Sequence, residues 1–110
     1  MSLLKYLSFF IFFITSCGGP KDDSDLLKIG YVVNFMSHEW YQNICKAAET
    51  HAKKMGVELI IADANMDVAA QISKAENLLA QGVDVLVLTP VDAKALGSIV
   101  SQAKESGVRI

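Results

Sequence analysis

The chain has 110 residues, 52% of them hydrophobic, with 10 basic and 12 acidic side chains and a formal net charge of −2. That length accommodates one small domain. The near balance of charge speaks against a nucleic-acid surface or a polybasic membrane contact.

Residues 4–17, LKYLSFFIFFITSC, form an apolar run that closes on Ile14-Thr15-Ser16-Cys17. Lys5 and the N-terminal amine make a short cationic region, and Leu7 to Ile14 is an apolar stretch of signal-peptide length. A membrane-spanning helix needs about 20 apolar residues, and Gly18, Gly19, Pro20 and Lys21-Asp22-Asp23 end this run sooner. The closing tetrapeptide resembles a lipobox, the cleavage and lipidation signal of bacterial lipoproteins. The resemblance implies export, removal of residues 1–16, and a lipid on Cys17 that holds the mature chain in the cell envelope. The mature part would keep 94 residues, with 9 basic and 12 acidic side chains and a formal charge of −3. The mean hydropathy of +0.33 therefore owes much to the discarded segment. With Cys17 lipidated, Cys45 has no disulfide partner and is expected as a free thiol on a helix flank.

Gly18 to Asp25 (GGPKDDSD) is polar and turn-rich, which reads as a solvated tether, residues 17–26 linking lipid to domain. A regular pattern follows. Leu27 to Val33 is a β-rich apolar run. Trp40 to Met55 has helical period, with Ile44, Ala48, Ala52 and Met55 on one face, and Gly56 stands where a helix-ending glycine belongs. Val57 to Ala62 is the second strand. Val68, Ile72, Ala75 and Leu79 repeat the helical spacing, closed by Gly82. Val85 to Leu88 is the third strand. Asp92 is placed to cap a third helix with Leu96, Ile99, Val100 and Ala103 inward and Gly107 at its end. Val108-Arg109-Ile110 reads as the start of a fourth strand.

Strand and helix thus alternate three times, and the strands are continuously apolar. Strands buried on both faces read this way, so the expected architecture is α/β, an open doubly wound parallel sheet with flanking helices. Ligands of such sheets bind beyond the carboxyl ends of the strands. Those ends are Asn34 to Tyr41, Asp63 to Asp67 and Thr89 to Asp92.

Several chemistries are missing from those positions. NFMSHEWY follows the first strand in place of a glycine-rich phosphate loop, and no GxSxG elbow occurs. Thr89-Pro90 ends the third strand where a receiver domain would carry a phosphoacceptor aspartate. His38 and His51 lack metal-ligand spacing. The reading is a binding protein without cofactor, not an enzyme.

The segments KIGYVVNFMSHEWYQNICKAAETHAKKMGVELIIADAN, QISKAENLLAQGVDVLVLTPVDAKAL and AKESGVRI resemble, in that order, the N-terminal lobe of periplasmic sugar-binding proteins of the ribose-binding type. The resemblance covers residues 27–110. It implies a substrate-binding lipoprotein of an ABC-type importer, with a monosaccharide and a transporter permease as partners and no nucleic acid. Carried over position by position, it implies sugar contacts from His38, Trp40, Tyr41 and Thr89, with Asn34 and Asn65 as neighbouring candidates. The aromatic pair suits a sugar, whose C–H face packs on a ring while its hydroxyls need aimed donors and acceptors. An alternative is an extracytoplasmic sensor for a furanose-like signal or a sugar, addressing a kinase or chemoreceptor. The family has two lobes around a cleft, so the chain is expected to be a lobe cut short at Ile110. Its incomplete sheet would leave an open edge and bare apolar surface.

Overall fold

The computed structural model describes residues 26–110. Three apolar runs pair in parallel: β1 (Lys28–Val33) lies between β2 (Glu58–Asp63) and β3 (Val85–Leu88), giving the order β2-β1-β3. The register runs from Lys28↔Glu58 to Val33↔Asp63 on one side and from Ile29↔Val85 to Val32↔Leu88 on the other. Between the strands lie α1 (Glu39–Met55) and α2 (Val68–Ala80), and after them a 3-10 turn (Lys94–Leu96) runs into α3 (Gly97–Glu105). The expected α/β layer with a parallel sheet and flanking helices is what forms.

Local chemistry sets the helix ends. Asp67 caps α2, its Oδ1 accepting from Ala70 N at 2.7 Å. Gly56 ends α1 at φ 67°, a left-handed conformation that costs a glycine nothing. Its N–H and that of Val57 are donated back to Lys53 and Ala52 carbonyls.

Alternation along the strands divides the side chains between two faces. Val32, Leu86 and the partly buried Ile60 and Leu88 pack toward α2 and α3, in a core with Ala75, Leu78, Val83, Leu96 and Ile99. Tyr31, Val33, Leu59 and Ile61 face the other way, against Cys45 of α1. Gly30 lets α2 approach the central strand: a Cβ there would lie 2.9 Å from Leu78 Cδ1 and 3.2 Å from Val83 Cγ1.

Several sequence expectations need correction. Cys45 is not on a flank but buried in the seam between α1 and the sheet. Burial pushes its thiol above the usual cysteine range, and the negative charges of Glu49 and Asp63 add to that. Met55 is exposed, at the rim of an apolar groove between α1 and the sheet. On α2 the most buried residues are Gln71, Ala75 and Leu78; Ala75 belongs to the expected stripe, whose Ile72 and Leu79 pack partly buried against the same core. Val100 is exposed while Ile99 and Ala103 are buried. Asp92 Oδ1 accepts from Lys94 N at 2.9 Å in the turn before the 3-10 segment, and neither that segment nor α3 has a side-chain cap. Val108-Arg109-Ile110 does begin a further pairing as expected, with one parallel bridge, Val85↔Arg109, beside β3.

Candidate functional site

The carboxyl ends of β1, β2 and β3 carry three loops, and side chains tie each to its neighbours. After β1, Asn34 stands at the mouth of the loop that leads to α1. Its Nδ2 donates to Tyr41 Oη at 3.1 Å, and its backbone carbonyl accepts from Met66 N at 2.7 Å. Its Oδ1 is buried and accepts from no described residue. A buried acceptor without a donor is costly.

His38 is the N-cap of α1. Its Nδ1 accepts from Trp40 N at 3.2 Å, and its carbonyl accepts from the Tyr41 and Gln42 amides. Two aromatic side chains follow in the first turn of α1. Trp40 and Tyr41 meet edge to face, with ring centroids 4.8 Å apart and planes at 83°. His38 lies 6.4 Å from Tyr41, also edge to face. The Trp40 indole is 59% exposed, whereas Tyr41 is half-buried and packs beside Cys45. One ring is thus fixed by the sheet and the other presents its surface to solvent.

The β2 end is organised by Asp63. Its Oδ1 accepts from Asn65 N at 2.8 Å and from Met36 N at 3.2 Å, so one carboxylate joins the loops after β1 and β2. Asn65 and Met66 both adopt positive φ, 48° and 61°. Asn65 is exposed, and its place in the loop is held through its backbone.

At the β3 end, Thr89 N is donated to Val32 O, and Thr89 Oγ1 lies 2.7 Å from Tyr31 Oη. Gln71 on α2 grips the same loop, its Nε2 donating to Thr89 O and its Oε1 accepting from Val91 N, each at 2.8 Å. Among the described residues no group of His, Cys, Asp and Glu is placed to hold a metal ion.

Of the sequence-derived site residues, Asn34, His38, Trp40 and Tyr41 form one connected group. Thr89 is engaged with Tyr31, and Asn65 stands in the β2–α2 loop. Cys17 lies outside the described residues. Sequence reasoning missed Tyr31, Asp63 and Gln71 as the groups that hold the loops. Gln71 had a signal: a polar residue four before Ala75 and seven before Leu78 falls on a buried helical face. An apolar groove of about 440 Å³, lined by Leu27, Ile29, Tyr31, Ile44, Met55 and Val87 among others, runs along the α1 face. Its lining is almost wholly carbon, which suits packing better than recognition of a polar ligand.

Comparison with known proteins matches the same region. Over 82 residues the chain is 37% identical to the ribose import binding protein of Bacillus subtilis, covering 74% of this chain and 27% of that protein. It is 36% identical over 97 residues to a xylitol-binding protein of Mycolicibacterium smegmatis, covering 86% of this chain and 28% of the relative. The chain therefore spans little more than a quarter of the length of these relatives. A crystal structure of an ABC transporter solute-binding protein from Mycobacterium smegmatis with bound glycerol superposes at a TM-score of 0.72 with 34% identity. That match covers 76% of this chain and 29% of the other. The Caulobacter myo-inositol binding protein, bound to myo-inositol, superposes at 0.71 with 28% identity over 74% of this chain and 28% of its own. The sheet and its flanking helices match the N-terminal lobe of such proteins, and the family model described as periplasmic binding protein domain covers residues 29–110. On fold, order of elements and matched sequence alike, the chain belongs to the periplasmic binding protein domain family.

Proposed function

We propose that this chain is the N-terminal lobe of a monosaccharide-binding protein that serves an ABC-type importer. The observation that carries this reading is the junction of an exposed Trp40 face with a buried, unpartnered Asn34 Oδ1, joined through Tyr41. An apolar platform beside polar side chains is the pairing a sugar ring needs, since its C–H face stacks and its hydroxyls need hydrogen-bond partners. His38 and Thr89 add polar atoms on either side, and Asn65 borders the site at the end of β2. Binding is without chemical conversion. The ligand would be enclosed between this lobe and a second one, in keeping with the greater length of the relatives. Residues 1–16 serve as a lipoprotein signal, Cys17 carries the lipid, and residues up to 26 tether the lobe residues 27–110 to the envelope membrane beside the permease.

Trp40 is the chain's one tryptophan, so its emission reports directly on stacking. Titration with D-ribose, D-xylose and myo-inositol is expected to give a saturable change with one of them. An open single lobe should bind weakly, with a Kd of ~1 mM or more. Loss of the response in Asn34→Ala and Tyr41→Ala would support the site, and a flat response of the native chain to all three would overturn it. Metabolic fatty-acid labelling that persists in Cys17→Ser would overturn the anchor.

A further inference from the structure

Gln71 is fully buried, and it is the one buried polar side chain among the described residues. Its position follows from α2. Asp67 caps that helix, and Gln71 N is donated to Asp67 O, so Gln71 lies one turn in, on the face with Ala75 and Leu78. There the side-chain amide meets the chain where it leaves β3. The loop contains Pro90, which has no N–H to give, and beyond β3 the ladder to β1 ends with Thr89 N on Val32 O. Thr89 O and Val91 N would be left without strand partners. The Gln71 amide supplies both, donating to Thr89 O and accepting from Val91 N at 2.8 Å each. A primary amide carries a donor and an acceptor side by side, as a peptide group does. It therefore stands in for a short piece of neighbouring strand.

The consequence reaches the other face of the sheet. Thr89 directs its Oγ1 to Tyr31 Oη at 2.7 Å, and Tyr31 belongs to the α1-side cluster. Whichever hydroxyl donates in that pair, the other keeps its proton for an outside acceptor. The pair thus keeps one hydroxyl proton to offer at the strand ends. Its direction depends on the backbone at Thr89, which Gln71 holds.

We propose that Gln71 is a positioning residue for the ligand: its amide fixes the Thr89-Pro90-Val91 turn and thereby aims the Tyr31–Thr89 hydroxyl pair into the site. The proposal rests on the sugar-binding reading above. Gln71 itself touches no ligand, being sealed behind the loop.

The test uses the 110-residue chain and three variants: Gln71→Leu, which loses both bonds; Gln71→Glu, whose carboxyl at this fully buried position stays protonated and so keeps a donor for Thr89 O and an acceptor for Val91 N; and Leu78→Val, a core change elsewhere on α2. Two quantities are read under conditions where each variant is folded by circular dichroism. The first is amide hydrogen exchange at Val91 without ligand; the second is D-ribose affinity from Trp40 emission. Val91 exchange is expected to quicken by about tenfold or more in Gln71→Leu and to stay slow in Gln71→Glu and Leu78→Val, as loss of a buried hydrogen bond predicts. Affinity is expected to fall about tenfold in Gln71→Leu, less in Gln71→Glu, and not in Leu78→Val. A purely structural role would lower thermal stability in Leu78→Val and Gln71→Leu alike and leave affinity untouched in both, which would overturn the proposal. Native exchange at Val91 in Gln71→Leu would overturn it as well, without any ligand. A native chain that ignores D-ribose, D-xylose and myo-inositol while Val91 behaves as expected would refute the sugar reading and leave the clamp standing.

Discussion

The two faces of the sheet are built from the same three strands, yet they end in different states. On the α2–α3 side, Val32, Leu86, Ala75 and Ile99 are wholly buried, and the core is continuous from Ala64 to Leu96. On the α1 side, only Tyr31, Val33 and Cys45 are buried among the described residues, and only Val33 wholly so. Beside them runs the apolar groove, where Leu27, Met55 and Val87 stay exposed. One helix covers one face and two cover the other among the described residues. Apolar strands of a parallel sheet are suited to burial on both sides, but burial happens only where a partner lies. The comparison teaches that the fold's stability sits on one face and its unmet apolar surface on the other.

The largest effect should come from the filled face. Ile99→Ala removes a fully buried branched side chain and is expected to cost about 2–5 kcal/mol, read by urea denaturation. A cost below that of any α1-side truncation would reverse the assignment of the faces. Gly30→Ala comes next. The new methyl would sit 2.9 Å from Leu78 Cδ1, and overpacking of this kind costs about 1–3 kcal/mol. Leu78→Ala made together with it should recover part of that loss, and strict additivity in the double-mutant cycle would argue against the contact.

Cys45 probes the seam of the less filled face. Its raised pKa means the unfolded thiol ionises first, so its contribution to stability is complete below the ordinary value of 9.0 and is lost as pH rises above it. Denaturation midpoints should fall as pH rises above 9.0 in the native chain, and Cys45→Ala should flatten that part of the curve. Slow alkylation of the native thiol at neutral pH would agree with its burial.

The smallest effect is expected in the groove. Met55→Lys and Val87→Thr alter side chains that are 67% and 42% exposed, so each should shift stability by less than about 0.5 kcal/mol. Sedimentation velocity should show less self-association than in the native chain, because an exposed apolar patch is removed. A loss of stability as large as that of Ile99→Ala would show that the groove is closed in solution.

The site illustrates how far residue patterns carry. Asn34, His38, Trp40, Tyr41, Asn65 and Thr89 could be placed at the strand ends because a parallel α/β chain turns there, and the segment bounds were readable from apolar runs and glycine stops. The structure joins four of them through Asn34 and the His38 cap. The links that hold the loops could not be read in the same way. Asp63 bonds across to Met36, and Gln71 reaches Thr89 and Val91, pairs that are 18 to 27 residues apart. A pattern of local period carries no record of such pairings.

By itself the sequence determined the alternation of strand and helix, the parallel sheet, and strand limits within a residue. Those depend on short-range period, backbone propensity and caps, all of which are local. Only the tertiary structure decided which face is filled and that α2 buries Gln71, Ala75 and Leu78. It alone put Cys45 inside and set the last segment beside β3 through the Val85↔Arg109 bridge. The physical reason is that burial and hydrogen-bond satisfaction belong to pairs of surfaces. A helix rotated by one residue keeps its period and changes every contact.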